Sequence, residues 1–299
     1  MSSQVITIDC EYIHPQFAAA YLLVQDNRAI FIENNTRYAV PKMLRVLQNC
    51  GLEPEAVDYA IITHAHLDHS GGSSVLMDAC PNATLLCHPR AERHVIDPSR
   101  LIAGTKQVYG EELFDRLYGE IGPVAAERVR SMADGEVIDW KESRLRFLHT
   151  PGHASHHISI IDEGSDSIFT GDAFGICYPR LQRNGTLAFI SSPPTDFDVE
   201  QSRHSIDRIV NAGCSRAFPT HFGELTELQE TAKQLHAGLN HSSELLQQAV
   251  AELRAGRDAQ EVEDSCRAEL VKYIRHCMQS SGLEISDSDW SQIEMDIQL

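Results

Sequence analysis

The chain has 299 residues, 42% of them hydrophobic and 23% charged, with eight cysteines and a formal net charge of −18 at pH 7. That length buries a sizeable core, as one large domain or as a domain with an extension, and no run approaches the ~18 apolar residues of a membrane helix. A field of this sign repels phosphate backbones and anionic lipid surfaces, so neither nucleic acid nor membrane is an expected partner. The N-terminus shows neither a basic segment nor an apolar one of the kind that directs secretion. The cysteines form no CxxC pair, and several (Cys87, Cys177, Cys214, Cys277) sit in apolar segments, so free buried thiols and a reducing compartment, the cytoplasm, are expected.

In chain order, Val5–Asp9 alternates as a strand does, and Ala18–Val24 and Ala29–Glu33 flank the turn signal Asp26-Asn27 as a hairpin does. Val40–Leu47 has helical spacing, with Pro41 where a first turn tolerates it. Tyr59–Ile62 is short and apolar, a buried strand. It runs into Thr63-His64-Ala65-His66-Leu67-Asp68-His69-Ser70-Gly71-Gly72, after which Ser73–Ala79 is helical. Three histidines and a carboxylate therefore share a strand-to-helix loop, where their side chains can converge on one point. Imidazole and carboxylate are the ligands that borderline-soft divalent metals such as zinc prefer.

Ala83–Cys87 is a further strand. His88 and His94 follow it without a ligand pattern and are expected to be structural. Residues 89–133 break the rhythm: 111–121 and 123–132 read as helices and 99–109 as a loop, a segment long enough for an active-site wall or lid. Its Tyr109 and Tyr118 are candidates for substrate contact, and Phe114 for the core. Val137–Trp140 and Leu145–Leu148 read as paired strands leading to Thr150-Pro151-Gly152-His153. His157–Ile161 and Ser167–Thr170 are strands, the second delivering Gly171-Asp172. Residues 175–197 form a substrate-side loop carrying Tyr178 and Arg180. Val199–Val210 is an amphipathic helix, and Arg216–Phe218 a short strand that ends in Pro219-Thr220-His221. Residues 225–255 and 260–278 are helical in pattern, with a third helix expected over 288–299. From residue 224 onward there are fifteen acidic and six basic residues, half of the net charge.

His64-x-His66-x-Asp68-His69 resembles the signature of the metallo-β-lactamase-fold hydrolases, and His153, Asp172 and His221 stand in the order and context of that family's remaining ligands. The resemblance implies an α/β fold, an αββα sandwich with a helical C-terminal extension. It implies a catalytic domain over 1–223, with 89–133 as an inserted helical segment or lid, and an extension over 224–299 that shapes the substrate pocket or a dimer interface. It also implies that His64, His66 and His153 hold one divalent ion and Asp68, His69 and His221 a second, with Asp172 between them. Zinc is the expected metal, with iron and manganese as the other options. Two such ions ~3.5–4 Å apart share a hydroxide whose parent water falls from about 15.7 toward ~7 in pKa. Asp68 would orient it or move a proton, and Tyr178 is a candidate donor to the developing oxyanion.

One departure stands out: relatives carry Asp-Thr-Gly after the second hairpin strand, whose aspartate orients a ligand histidine, and here the sequence is Glu33-Asn34-Asn35. Glu33 can do that work with a longer arm. His149 and His156 fall outside the ligand positions, and His157 falls where a supporting or substrate-facing histidine is common. The layout is similar to hydroxyacylglutathione hydrolases, although basic residues that would grip glutathione are not evident. The expected function is a dinuclear metal-dependent hydrolase of a small ester, thioester or lactone. The alternatives are a small-molecule phosphodiesterase on the same site, or a di-iron redox or oxygen-binding protein.

Overall fold

A computed structural model of the chain describes residues 3–193, 196–284, 286, 290 and 293. Strands β1 (Gln4–Asp9), β2 (Ala19–Gln25) and β3 (Arg28–Ile32) form an antiparallel meander. The hairpin between β2 and β3 turns on Asp26 and Asn27, both at positive φ (50° and 58°), as a two-residue turn matched to strand twist requires. Helix α1 (Val40–Asn49) then leads to β4 (Val57–Ile61), the short α2 (Leu67–Ser70), α3 (Ser73–Ala79) and β5 (Thr84–Cys87). Three helices follow, α4 (Pro89–Ile96), α5 (Ser99–Tyr109) and α6 (Glu111–Leu117), before β6 (Val129–Ser131). The second half comprises β7 (Val137–Trp140), β8 (Ser143–His149), β9 (Ile158–Asp162), β10 (Ser167–Gly171), α7 (Val199–Asn211) and β11 (Arg216–Pro219). The long helices α8 (Leu228–Arg254) and α9 (Ala259–Ser280) follow.

The first sheet runs β1-β2-β3-β4-β5-β6 and is parallel from β3 onward; the second runs β11-β10-β9-β8-β7, with only β10 and β11 parallel. Because side chains alternate along a strand, each sheet has two apolar faces. Tyr21, Leu23, Ile30 and Ile32 point inward and meet Leu145, Phe147, Ile160 and Phe169 of the other sheet in one core. Leu22, Phe31 and Leu85 point outward and pack under Met43 and Leu47 of α1 and Leu76 of α3. On the far side, Ile161, Ile168 and Ala217 pack under Ile206 and Ile209 of α7 and Leu228, Leu235 and Leu239 of α8. Helix, sheet, sheet, helix: the order is the expected αββα sandwich.

Four expectations change. Residues 99–109 are helical rather than a loop; α5 buries none of its residues fully, so the amphipathic stripe that reveals a helix is weak. The helix expected over 123–132 is instead a short 3₁₀ turn and strand β6, whose main chain pairs with β5 at the sheet edge. Leu225 does not open a helix: it bridges to Ala217, and α8 starts at Leu228. All eight cysteines are unpaired, but Cys214 and Cys277 are only half-buried. The helix expected over 288–299 lies outside the described residues, except for Trp290 and Ile293.

Helix α8 buries Leu228, Ala232, Leu235 and Leu239 at helical spacing. Gly238 interrupts that face, and a glycine in a helix interior costs about 1 kcal/mol relative to alanine.

Candidate metal centre

The ends of β3, β4, β10 and β11, and the loop entering β9, gather at one edge of the sandwich. There Ile158 donates its N–H to the Thr63 carbonyl (2.8 Å) and Ala19 to the Thr220 carbonyl (2.8 Å), tying the two sheets together. Each strand end carries one part of the site: Glu33 after β3, His64 to His69 after β4, Asp172 after β10, His221 after β11 and His153 before β9.

The structure brings all seven expected ligands together. One donor atom each from His64, His66 and His153 lies within 4.8 Å of the others, and so do those of Asp68, His69 and His221; His64, His69 and Asp172 form a third such group. Asp172 stands between the sets, with Oδ2 3.5 Å from His153 Nε2 and Oδ1 3.4 Å from His69 Nε2 and 3.7 Å from His221 Nε2. Asp68 Oδ2 lies 3.5 Å from His69 Nε2 and 3.6 Å from His221 Nε2. These separations exceed normal hydrogen bonds of about 2.7–3.2 Å. They suit donors sharing an ion, since tetrahedral bonds of about 2.0–2.1 Å space neighbouring donors roughly 3.4 Å apart.

The ring nitrogens are sorted for that purpose. His153 Nδ1 pairs with the Ser191 carbonyl (3.2 Å), His221 Nδ1 with the Phe17 carbonyl (2.9 Å) and His64 Nδ1 with Thr63 Oγ1 (3.0 Å). Each bond to the outer nitrogen turns the inner Nε2 toward the cluster. His64 Nε2, both nitrogens of His69 and Asp172 Oδ1 are buried without a hydrogen-bond partner, a costly arrangement unless something else satisfies them.

Electrostatics divides the cluster in two. Burial, and then the imidazoles of His69, His66 and His153, hold His64 well below the usual histidine range. Burial and His153 push His66 down to about 3, against the opposing carboxylate of Asp68. These rings are neutral, as metal ligands must be. On the other side, burial works against the charge of His69, yet Asp68, Asp172 and Glu33 outweigh it and raise this group well above its ordinary value. Burial likewise opposes ionisation of Asp172, which His69, His221 and His153 overcome, holding the carboxyl well below the usual range. A divalent cation satisfies the same carboxylates while leaving every ring neutral, so this donor set fits one.

Glu33 reaches the site as its sequence position suggests. Its carboxylate accepts a hydrogen bond from Thr63 Oγ1 and lies 3.5 Å from His69 Nδ1. The two asparagines beside it pin the ligand loop: Asn35 Nδ2 donates to the Asp68 carbonyl (2.8 Å), and Asn34 Nδ2 to Ser73 Oγ (2.9 Å). Gly72 lets this strap approach, since a Cβ there would lie 2.6 Å from the Asn34 carbonyl oxygen. His157 supports rather than lines the site. Its Nε2 accepts from the Asp172 N–H (3.2 Å) while Nδ1 faces Thr150 Oγ1 (2.9 Å). His156 accepts from the Ala65 N–H through Nδ1 (3.3 Å), and His88 caps α4 by accepting from Arg90 N–H (2.9 Å). Ser191 carries no sequence signal. Its hydroxyl donates to Asp172 Oδ2 (3.0 Å) and its carbonyl orients His153, two jobs visible only in the fold.

His66, Asp68, His153, Asp172 and His221 form the floor of a cavity of about 360 Å³. Its walls come from the β1–β2 connection (Tyr12, Phe17), the segment after β5 (Tyr109, Leu117, Tyr118), the loop after β10 (Tyr178, Phe189, Ile190) and the C-terminal helices (Leu270, Tyr273). Tyr178 is buried, with its ring 5.4 Å from that of Phe17 and the Arg180 guanidinium above it. Phe114 lies in the core, as expected.

Residues 15–221 match the family described as the metallo-beta-lactamase superfamily. The chain belongs to that superfamily. Among its relatives, the metallo-beta-lactamase fold-containing protein ST1585 of Sulfurisphaera tokodaii is 23% identical over 189 residues, 62% of this chain and 66% of that one. An atrochrysone carboxyl ACP thioesterase of Aspergillus fumigatus is 24% identical over 183 residues (60% and 42%). A hydroxyacylglutathione hydrolase of Aeromonas hydrophila is 25% identical over 153 residues (51% and 44%). The aligned part thus spans less than two thirds of each relative's length. The crystal structure of ST1585 superposes with a TM-score of 0.62 at 22% identity, covering 77% of this chain and 85% of that one, a likeness of fold. Superfamily membership implies divalent-metal binding, in accord with the donor groups above. No helix among the described residues is long and apolar enough to cross a membrane.

Proposed function

We propose that the protein is a dinuclear metal-dependent hydrolase of a small ester-like bond, an ester, thioester or lactone. The observation that carries this reading is the convergence of seven histidine and aspartate donors, several without other partners, five of them on the floor of a cavity whose walls are mainly aliphatic and aromatic. His64, His66 and His153 would hold one ion and Asp68, His69 and His221 the other, with Asp172 between; zinc suits this mix of imidazole and carboxylate, as do iron and manganese. Two such ions, when bound, supply Lewis acidity and make a water acidic enough to attack at neutral pH.

The chain's own residues do the rest. Asp68 faces the cavity, its Oδ2 3.5 Å from His69 Nε2 and 3.6 Å from His221 Nε2. As an anion beside the ions it would orient the attacking water or move its proton. Tyr178 lines the same cavity and is the proposed donor to the oxyanion. The apolar walls exclude bulk water and strengthen both interactions. In this reading residues 1–223 carry the chemistry and 224–299 complete the pocket, the partner is a small molecule, and the protein works in the cytoplasm.

A phosphodiester is the less favoured substrate, since no lysine or arginine is among the described residues lining the cavity. Metal-reconstituted protein should be screened against ester, thioester, lactone and phosphodiester substrates. Turnover of an acyl substrate that chelation abolishes and zinc restores is expected. Turnover confined to phosphodiesters, or activity indifferent to chelation, would overturn the reading.

A further inference from the structure

Gly238 lies on the buried face of α8, between Leu235 and Leu239, and borders the cavity. Its φ is outside the left-handed region, so the backbone does not demand glycine. Nor do its neighbours: a Cβ there would meet Ile190 Cγ2 at 3.4 Å and the Tyr273 hydroxyl at 3.7 Å, ordinary contact distances. Glycine nevertheless weakens a helix interior. What its absent side chain leaves is space along the wall that α8 gives the cavity. Ile190 from the loop after β10 and Leu270, Tyr273 and Ile274 from α9 line the same cavity. The polar side chains that α8 and α9 bring to it are hydroxyls, on Ser242 and Tyr273, and among the described residues lining the cavity the only carboxylates are Asp68 and Asp172 on the floor.

We propose that Gly238 sets the depth of an acyl-binding chamber walled by α8 and α9, and that the substrate is an ester or thioester of an uncharged, apolar acyl group. The reacting carbonyl sits at the floor, and the acyl group runs toward Gly238. This rests on the hydrolase reading above. A phosphate, carboxylate or ammonium on the acyl group would meet apolar side chains and no fixed counter-charge, at a desolvation cost.

The test compares wild type with Gly238→Leu, which fills the chamber, and Leu270→Ala, which enlarges it from the opposite helix. Zinc-loaded proteins are assayed on p-nitrophenyl acetate, butyrate and octanoate, and metal-free proteins are titrated with the neutral dye N-phenyl-1-naphthylamine. In wild type, kcat/KM should rise from acetate to octanoate. Gly238→Leu should lose octanoate turnover by about tenfold or more, the scale of a methylene misfit in an apolar pocket, while acetate turnover, metal content and Tm are retained, and it should bind the dye weakly. Leu270→Ala should shift the preference toward octanoate, and it decides the matter should Gly238→Leu fail to fold. If neither these esters nor the acyl substrates of the screen above are turned over but the dye binds wild type and not Gly238→Leu, the hydrolase reading fails and the chamber stands. If esters are turned over with the same chain-length profile in all three proteins, and the dye does not distinguish them, the chamber is wrong and the hydrolase reading survives.

Discussion

At the scale of single residues, the centre separates groups that can touch an ion from groups that hold them in place. Asp172 faces both donor sets, so in the proposed dinuclear centre Asp172→Ala would leave two positive ions with less charge between them. Breaking a buried charge constellation costs about 3–5 kcal/mol, and here the loss should appear as released metal and lost turnover. His156 lies beside the cluster, its ring 6.2 Å from that of His64, but is engaged with the Ala65 N–H. His156→Ala should keep both ions. Metal analysis of both variants from parallel preparations checks this; an emptied His156→Ala beside a full Asp172→Ala would require the ligand set to be redrawn. Glu33 makes a subtler case, since it meets His69 from the side away from the cavity. Glu33→Gln keeps the shape and removes the charge facing His69 Nδ1, and should weaken metal affinity about 10–100-fold, the usual effect of losing a ligand's supporting partner. Competition against a chromophoric chelator measures it, and an unchanged affinity would reduce Glu33 to a packing role.

At the scale of elements, the C-terminal helices are joined to the sandwich by an apolar seam. Leu225, Leu228, Leu235 and Leu239 are all buried against β10, β11 and α7. Leu239 is fully buried, so Leu239→Ala should destabilise the protein by about 2–5 kcal/mol, lost transfer energy plus the cavity left behind. Urea denaturation followed by far-UV circular dichroism reads this directly. Deleting the chain from Glu224 exposes the whole seam, and the truncated protein should be less soluble and less active. Equal stability and activity without the helices would make them a solvated appendage, and would also remove the wall that Gly238 belongs to.

At the scale of the whole molecule, folding and metal binding are linked. The centre draws on strand ends from both sheets, so an ion bound there holds the two halves of the sandwich to each other and is not bound by the unfolded chain in that geometry. Ligand present at about a thousand times its Kd stabilises a site by roughly 4 kcal/mol. Stripping the metal with a chelator should therefore lower Tm by several degrees, and zinc should restore it. Differential scanning calorimetry with and without zinc tests this; a Tm indifferent to metal would mean that the donors do not hold an ion. The formal charge of −18 adds a second consequence: long-range repulsion of anionic substrates is screened by salt, whereas turnover of a neutral ester should be nearly independent of ionic strength.

Most of the candidate centre was legible in the sequence because the residues that would hold a metal are local signals. Each follows a short apolar strand, and the chemistry of imidazole and carboxylate does not depend on what lies across the fold. The sandwich followed from the same runs, since alternating or continuous apolar strands must bury their faces against something. What the tertiary structure alone decided depends on partners far away in the chain. Strand β6 exists because the edge of β5 is available to pair with it, and α5 is helical although its own pattern is weak. Ser191 serves Asp172 and His153 only because its loop folds back over them, and Gly238 borders the pocket only because α8 lies across that loop. Residue types and spacing carry the first kind of information. The second arises from packing and backbone pairing between segments that no local pattern connects.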